Sequence, residues 1–239
     1  MNKSILHAER LEYRSLLKSI PSILLTVLVL SVVSMNLLAN KELFRTDWIA
    51  LDCGFTLSWI PLLIMDAICR AYGGKAAVRI SILSIAINLA VFAIFKLVSL
   101  TPGMWGAYYE SGDEAVNSAL NATIGGSSWI VIGSAVAMTA SSLTNSALNM
   151  CVAKFLRKDN FGAFALRSFP STFIAQFVDN LTFCLLVSVP LFGWKFKQVL
   201  ICSITAAAFE LGMEVLFSRM GYKLSLFMKD RQAESHGTE

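Results

Sequence analysis

Long apolar segments separated by short polar stretches extend through most of the chain. A helix that spans a membrane needs about 20 mostly apolar residues, and six segments of the sequence meet that length. Between the third and fourth segments, residues 104–126 are polar and acidic, and are predicted to form a loop with room for a short surface helix. The predicted spans are residues 20–39, 48–72, 76–100, 127–156, 169–192 and 198–222.

The two ends of the chain are polar and flank the predicted spans. Residues 1–19 are basic and carry leucine and isoleucine at loosely helical spacing, so we expect a short cytoplasmic helix at the membrane interface. A cleaved signal peptide is the alternative, although the following apolar segment is longer than a typical signal sequence and lacks a clean cleavage site. Residues 223–239 are predicted to be a cytoplasmic polar tail, which leaves residues 20–222 as one six-helix transmembrane domain.

The distribution of basic residues orients this topology. With the N-terminus in the cytoplasm, 15 of the 20 lysines and arginines fall on the cytoplasmic side, and the acidic loop falls outside. Lysine and arginine accumulate in cytoplasmic loops, and a miscounted span would mix the two sides. The sequence therefore predicts an all-α integral membrane protein, a bundle of six transmembrane helices with both termini in the cytoplasm.

Composition agrees with a protein embedded in a lipid bilayer. Hydrophobic residues make up 56% of the 239 residues and charged residues only 15%, against roughly 25% charged in soluble domains; the mean hydropathy is +0.63. The net charge of +4 follows the cytoplasmic loops and does not indicate a nucleic-acid partner. The five cysteines stand singly and the two histidines lie near the termini, so no disulfide framework, metal site or cofactor is predicted.

Polar side chains inside the predicted spans are the candidates for function, because lipid disfavours them strongly. Five of the six helices carry such side chains on one face, and together these faces could line one cavity. The candidates are Asn36 on the first helix; Asp52, Trp59 and Asp66 on the second; Ser142, Asn145 and Asn149 on the fourth; Thr172, Gln176, Asp179 and Asn180 on the fifth; and Glu210 and Glu214 on the sixth.

The second predicted span ends in a charged hairpin. Asp66 and Arg70 lie four residues apart on one helix face, so each can partly neutralise the other. The pair Gly73-Gly74 follows and permits a tight turn that β-carbons would obstruct. Two interpretations of Asp66 and Arg70 stay open, a structural pair on the cytoplasmic side and a set of ligand contacts.

The other candidates also have alternative interpretations. Asparagine and serine in membrane helices often only join neighbouring helices, and Trp59 is as suited to packing as to stacking on a flat ligand. Asp179 lies near the middle of its span, which favours a functional role. Burial and a neighbouring like charge both favour a protonated carboxyl, so Glu210 or Glu214 could couple a proton; a pair with Arg219 or another base is equally consistent.

Two motifs resemble signatures of the VUT family of queuosine-precursor transporters. One is SMNLLANK at the end of the first helix, followed by G-x6-P-x4-D-x3-R-x-Y-G-G-K-x-A-x-R from Gly54 to Arg79, and the other is FPSTFIAQFVDNLTF from Phe169 to Phe183. Order and spacing agree over nearly the whole chain. The resemblance implies a six-helix importer of a 7-deazaguanine base in the bacterial inner membrane, with signature residues Asn36, Asp66, Arg70, Arg79, Gln176 and Asp179.

Two helices of the chain depart from the family pattern. The family commonly has Gln followed by Asp late in the fourth helix, where this chain has Ser146 and Asn149, and it often has a lysine in the sixth helix near Glu210. Both changes alter charge at candidate positions, so they bear on the substrate and on the coupling ion.

Three functions compete on these residues. The favoured one is a secondary transporter, proton-coupled through Glu210 or Glu214 and compatible with a homodimer. The alternative within transport is a substrate-binding subunit powered by separate ATPase partners, because the chain has no Walker motif. An intramembrane enzyme is disfavoured, because the sequence contains no HExxH or GxSxG motif.

Overall fold

The computed structural model describes residues 3–46, 49–101, 114–125, 128–155 and 161–237, most of them helical. The helices are α1 (Lys3–Ser19), α2 (Ser22–Leu38), α3 (Trp59–Tyr72), α4 (Gly74–Val98), α5 (Glu114–Gly125), α6 (Ser128–Phe155), α7 (Phe161–Phe183), α8 (Val189–Phe192) and α9 (Phe196–Gly237), and the strands are β1 (Glu42–Arg45) and β2 (Ala50–Asp52). A 3-10 turn at Cys53–Leu57 precedes α3, and a π-helical turn at Cys184–Ser188 joins α7 to α8.

The length and hydropathy of the helices confirm a helical membrane bundle. In the described part of the chain, five helical stretches are long and apolar enough to cross a membrane. A sixth is reached only when α2, which has 17 residues, is counted together with α1, from which it bends by 95°. The six-span count and the cytoplasmic placement of both termini therefore stay predictions.

The bend between α1 and α2 follows from Pro21, which has no N–H to continue the hydrogen bonding of α1. The Tyr72 hydroxyl, at the end of α3, donates to the Ser19 carbonyl at 3.0 Å and holds the bend against the bundle. Farther back on α1, Glu12 pairs with Arg79 of α4 at 2.9 Å. Arg79, a residue of the family motif, thus holds α1 and lies away from the polar centre of the bundle.

A short antiparallel ribbon replaces the start of the predicted second span. Strand β2 pairs with β1, so the prediction of helix over residues 49–52 is wrong. Trp48, where that span was predicted to begin, lies outside the described residues. The Asp52 carboxylate accepts the Phe55 N–H at 3.1 Å and begins the 3-10 turn, which is the usual action of an N-cap aspartate. A β-carbon on Gly54 would lie 2.2 Å from the Met35 carbonyl oxygen, so only glycine fits against α2.

The predicted glycine turn between α3 and α4 is confirmed. Gly73 has φ +87°, a left-handed conformation that favours glycine. A β-carbon on Gly74 would lie 2.6 Å from the Met150 sulfur, so the second glycine lets α6 approach the turn. The hairpin of α3 and α4 is therefore fixed by backbone geometry at the first glycine and by packing at the second.

The centre of the bundle lies where α3, α6, α7 and α9 meet. Helix α7 begins at Phe161 rather than at residue 169 and continues through Pro170. Helix α9 runs without interruption to Gly237, beyond the predicted end of its span at residue 222. Since α7 packs against both α6 and α9, its polar residues can reach side chains from both neighbours.

Helix α6 packs closely on the turn that follows α7. A β-carbon on Gly133 would lie 2.3 Å from the Val187 side chain, inside the π-helical turn. The Trp129 indole N–H donates to the Leu186 carbonyl of the same turn at 2.9 Å. Gly133 and the Trp129 indole thus hold α6 against the π-helical turn.

Candidate functional site

Asp66 is the hub of a buried polar network at the centre of the bundle. It lies on α3, and only 3% of the residue is exposed. Asn145 and Asn149 of α6 donate to its Oδ1 at 2.5 and 3.2 Å, and Ser168 and Thr172 of α7 donate to its Oδ2 at 2.5 and 3.1 Å. A carboxylate can accept all four of these hydrogen bonds, so one side chain joins three helices.

Glu214 extends this network to α9. The residue is 4% exposed, and its Oε1 lies within hydrogen-bonding distance of the Ser168 hydroxyl. Its other oxygen, Oε2, is buried and has no hydrogen-bond partner among the described residues. We call Asp66, Ser168 and Glu214 the carboxyl relay, because one hydroxyl oxygen lies between two carboxyl groups.

The side chains of Arg70 and Asp66, both on α3, contact different neighbouring helices. Its guanidinium carbon lies 4.4 Å from the centre of the Tyr222 ring on α9, within the range of a cation–π contact. The hydrogen bonds of Asp66, in contrast, run to α6 and α7. The shared helix face of Asp66 and Arg70 therefore does not make Arg70 part of the carboxyl relay.

Two small cavities lie beside this network, with volumes of about 50 and 80 Å³. The smaller cavity is bounded by Asn145 and Gln176, and the larger by Asn36, Asn180 and Glu210. Both are larger than the ~10–15 Å³ that one water needs. The wall that they share is made by Met35, Ser58, Ser134 and Asp179.

Asp179 faces both cavities. Within the described ranges its carboxylate has no hydrogen-bond partner, whereas its neighbour Asn180 donates to Glu210 Oε2 at 3.3 Å and to the Gln176 carbonyl at 2.9 Å. Asn36 donates to the Val32 carbonyl one turn back on α2 at 3.0 Å. The cavity wall therefore presents a carboxylate with unused acceptor capacity beside amide groups that both donate and accept.

The predicted substrate-binding residues separate into three groups. Five line the cavities, Asp66 and Asn149 lie in the buried network next to Asn145, and Arg70 and Trp59 meet aromatic side chains of α9. Trp59 stacks on Phe217 of α9 with ring centres 4.2 Å apart and is not among the residues that line the two cavities. The five that line the cavities are Asn36, Asn145, Gln176, Asp179 and Asn180.

The two glutamates of α9, one turn apart, point to different neighbours. Glu210 lines the larger cavity and accepts from Asn180, whereas Glu214 meets Ser168. Ser142, one of the polar candidates on α6, lines the smaller cavity and also lies 2.5 Å from the Ser81 hydroxyl of α4. That contact agrees with the interpretation that serines join neighbouring helices.

Ser168 was not identified from the sequence. The fifth span was predicted to begin after it, at residue 169, so it was placed outside the membrane helix. The signal was present, because Ser168, Ser171 and Thr172 follow an i, i+3, i+4 pattern that places them on one face of α7. All three are buried, with at most 1% of each residue exposed.

A larger cavity of about 350 Å³ opens between the β-ribbon and helices α7 and α9. Glu42, Arg45 and Trp194 lie around it. It shares four lining residues with the 80 Å³ cavity, which Asp179 also lines, so the two cavities adjoin. These shared residues are Asp52, Phe55, Asn180 and Phe183.

A membrane bundle with polar cavities at its centre has the architecture of a small-molecule transporter. The family described as "Putative vitamin uptake transporter" matches residues 52–224. This match covers most of the chain, and the protein belongs to that family, the VUT family, as its motifs predicted. No curated protein and no solved structure matches the chain. The matched segment contains every predicted site residue except Asn36.

Proposed function

We propose that this protein imports a 7-deazaguanine base, a precursor of queuosine, across the bacterial inner membrane as a secondary transporter. The supporting observation is the Asp179 carboxylate, which faces both central cavities and has no hydrogen-bond partner among the described residues. Family membership supports uptake of a small molecule. The motifs that resemble the queuosine-precursor transporters supply the substrate class.

The chemistry of the cavity wall matches a guanine-like ring. Such a ring presents N–H donors beside a carbonyl acceptor. A carboxylate such as Asp179 can accept from adjacent N–H groups, while the amides of Gln176 and Asn145 can donate to the carbonyl. Apolar side chains of the same wall, Met35 and Met138, provide contacts for the ring faces. These residues would orient a planar heterocycle without any chemical change to it.

The size of the cavities indicates that the shared wall must move during transport. An apolar cavity of about 150 Å³ accommodates one benzene, whereas the two cavities measure about 50 and 80 Å³. A bicyclic base therefore requires the two to merge. Met35, with three flexible side-chain torsions, and Asp179 form part of the wall that separates them. We infer that the structure is a closed form and that the base enters from the ribbon side through the 350 Å³ cavity.

Uptake of a labelled 7-deazaguanine base tests this proposal in cells that cannot synthesise queuosine precursors. The parent chain restores uptake, and Asp179→Asn loses it while still present in the membrane. Asp230→Asn is the matched control, because Asp230 lies exposed near the end of α9. A hydrogen bond to a charged group contributes about 1.5–3 kcal/mol, so we expect uptake at low substrate to fall roughly 10- to 100-fold.

Four results would contradict the proposal. Normal uptake by Asp179→Asn would remove the residue on which the site depends. Uptake that requires co-purifying ATPase subunits would instead identify the chain as a substrate-binding subunit, and a bound base that is converted to a product without net transport would identify an enzyme. Absence of uptake by the parent chain, with the protein in the membrane, would exclude this substrate class.

A further inference from the structure

In the carboxyl relay, a single serine hydroxyl lies between two carboxyl groups, and its one hydrogen cannot serve both. Ser168 Oγ lies 2.5 Å from Asp66 Oδ2 and within hydrogen-bonding distance of Glu214 Oε1. A serine hydroxyl has one hydrogen, so it can donate to one of these oxygens and must accept from the other. Two ionised carboxylates offer no hydrogen to be accepted. Both contacts of Ser168 are satisfied when one of the two carboxyl groups carries a proton.

The surrounding donors indicate which carboxyl group is protonated. Asp66 accepts from Asn145, Asn149 and Thr172 in addition to Ser168, which suits an ionised carboxylate. Glu214 has one buried oxygen without a hydrogen-bond partner among the described residues. An ionised carboxylate left in that condition would be strongly destabilised, whereas a neutral acid is tolerated.

We propose that Glu214, Ser168 and Asp66 form the proton-binding site that couples transport to a proton gradient, with the proton on Glu214. The hydrogen-bond chain runs from the Glu214 O–H to Ser168 Oγ and from the Ser168 O–H to Asp66 Oδ2. Proton transfer along the chain breaks the O–H bond of Glu214, forms a new O–H bond on Asp66 and replaces the hydrogen on Ser168. One proton and one negative charge thereby exchange positions, and no other reactant is needed.

The relay has a direct connection to the cavity. Asn145 donates to Asp66 at 2.5 Å and also lines the smaller cavity. A substrate that draws the Asn145 amide toward itself removes one donor from the ionised Asp66 carboxylate. Proton transfer from Glu214 to Asp66 then becomes more favourable, so occupation of the cavity changes the position of the proton. This step rests on the proposed transport function.

Three of the four helices around the carboxyl relay place a charged or ionisable residue near it. On α3, Arg70 lies one turn from Asp66, with its guanidinium over the Tyr222 ring of α9. On α7, Asp179 lies toward the cavities, and on α9, Glu210 lies one turn from Glu214 and accepts from Asn180. The described side chains of α6 that meet the relay, Asn145 and Asn149, are uncharged. Glu210 thus belongs to the cavity wall, and the proton-coupling role falls to Glu214.

Infrared spectroscopy of the purified protein tests where the proton resides without any substrate. The parent minus Glu214→Gln difference spectrum should contain the C=O stretch of a protonated carboxyl at neutral pH. The parent minus Glu210→Gln difference serves as the comparison for the other glutamate of α9. If the Glu214→Gln difference lacks that band and the Asp66→Asn difference contains it, the assignment of the proton is overturned.

Reconstituted vesicles test the coupling separately from uptake itself. With an acid-outside gradient, the parent should accumulate labelled 7-deazaguanine base, and Glu214→Gln should lose this accumulation but keep exchange of labelled for unlabelled base. Ser168→Ala should behave like Glu214→Gln, and Ser168→Thr, which keeps the hydroxyl, should retain accumulation. Gradient-driven accumulation that persists in Glu214→Gln, or that needs sodium and no proton gradient, would overturn the proposal. A parent protein that neither accumulates nor exchanges the base would contradict the transport function instead, while the infrared result still decides the proton site.

Discussion

Replacement of Asn145 by alanine should reduce stability measurably, because its amide joins α6 to the buried Asp66 carboxylate at 2.5 Å. Hydrogen bonds between neutral groups of membrane helices average only about 0.6 kcal/mol, whereas those to charged groups reach about 1.5–3 kcal/mol. Three donors to Asp66 remain after the substitution, namely Asn149, Ser168 and Thr172. We therefore expect a loss near the lower limit for a charged acceptor, about 1.5 kcal/mol.

Thermal unfolding with a thiol-reactive dye can measure this loss, because the buried Cys69, Cys184 and Cys202 become reactive on unfolding and add to the constant signal of the exposed Cys151 and half-buried Cys53. Asn40→Ala is the matched control, since Asn40 is an exposed asparagine two residues after α2 whose amide donates to the Leu37 carbonyl of the same turn, and exposed substitutions usually change stability by less than about 0.5 kcal/mol. Equal midpoints for the two variants would refute the argument that Asp66 is ionised and held by its donors.

Three further changes test other parts of the structure. Gly54→Ala should prevent close approach of the 3-10 turn to α2 and lower the yield of folded protein, whereas Gly212→Ala, whose added β-carbon meets nothing within 4 Å, should not. Arg79 lowers the pKa of Glu12 through a hydrogen bond and its charge. The ion pair therefore stabilises the folded state at pH values above the ordinary glutamate pKa of about 4.3. This stabilisation is lost as the pH falls through the lowered pKa of Glu12. A fluorescence distance between labels on α1 and α4 should therefore stay constant down to about pH 5, and an increase already at neutral pH would contradict the contact. Trp59→Phe should retain uptake, because the indole stacks on α9 outside the central cavities; loss of uptake would place Trp59 at the substrate.

The helical membrane bundle and its charged hairpin were predictable because they depend on local information. Runs of apolar residues set the positions of the helices. The turn depends on the left-handed backbone conformation of Gly73, which is a local property and does not require knowledge of how α4 packs. The start of α3 was not predictable in the same way, since Ala50–Asp52 is apolar enough for a helix and becomes a strand by pairing with β1. Strand pairing depends on a second segment, here β1, which the spacing of apolar residues within Ala50–Asp52 does not reveal.

The candidate site was predictable as a set of residues but not as a set of contacts. Helical spacing shows that Asn145 and Asn149 share a face, but it does not show that this face meets Asp66. For the same reason Glu210 and Glu214 were grouped as one pair, although the first lines a cavity and the second meets Ser168. Ser168 is small and lies next to the predicted end of a span, so its sequence signal was too weak to identify it. Which helices are neighbours is a property of the assembled bundle.

Equilibrium binding of a labelled 7-deazaguanine base to the purified protein tests the central claim, that Asp179 holds the substrate, most directly. We expect saturable binding to the parent and to Asp230→Asn, with affinity roughly 10- to 100-fold weaker in Asp179→Asn. Equal affinity for all three proteins would contradict it.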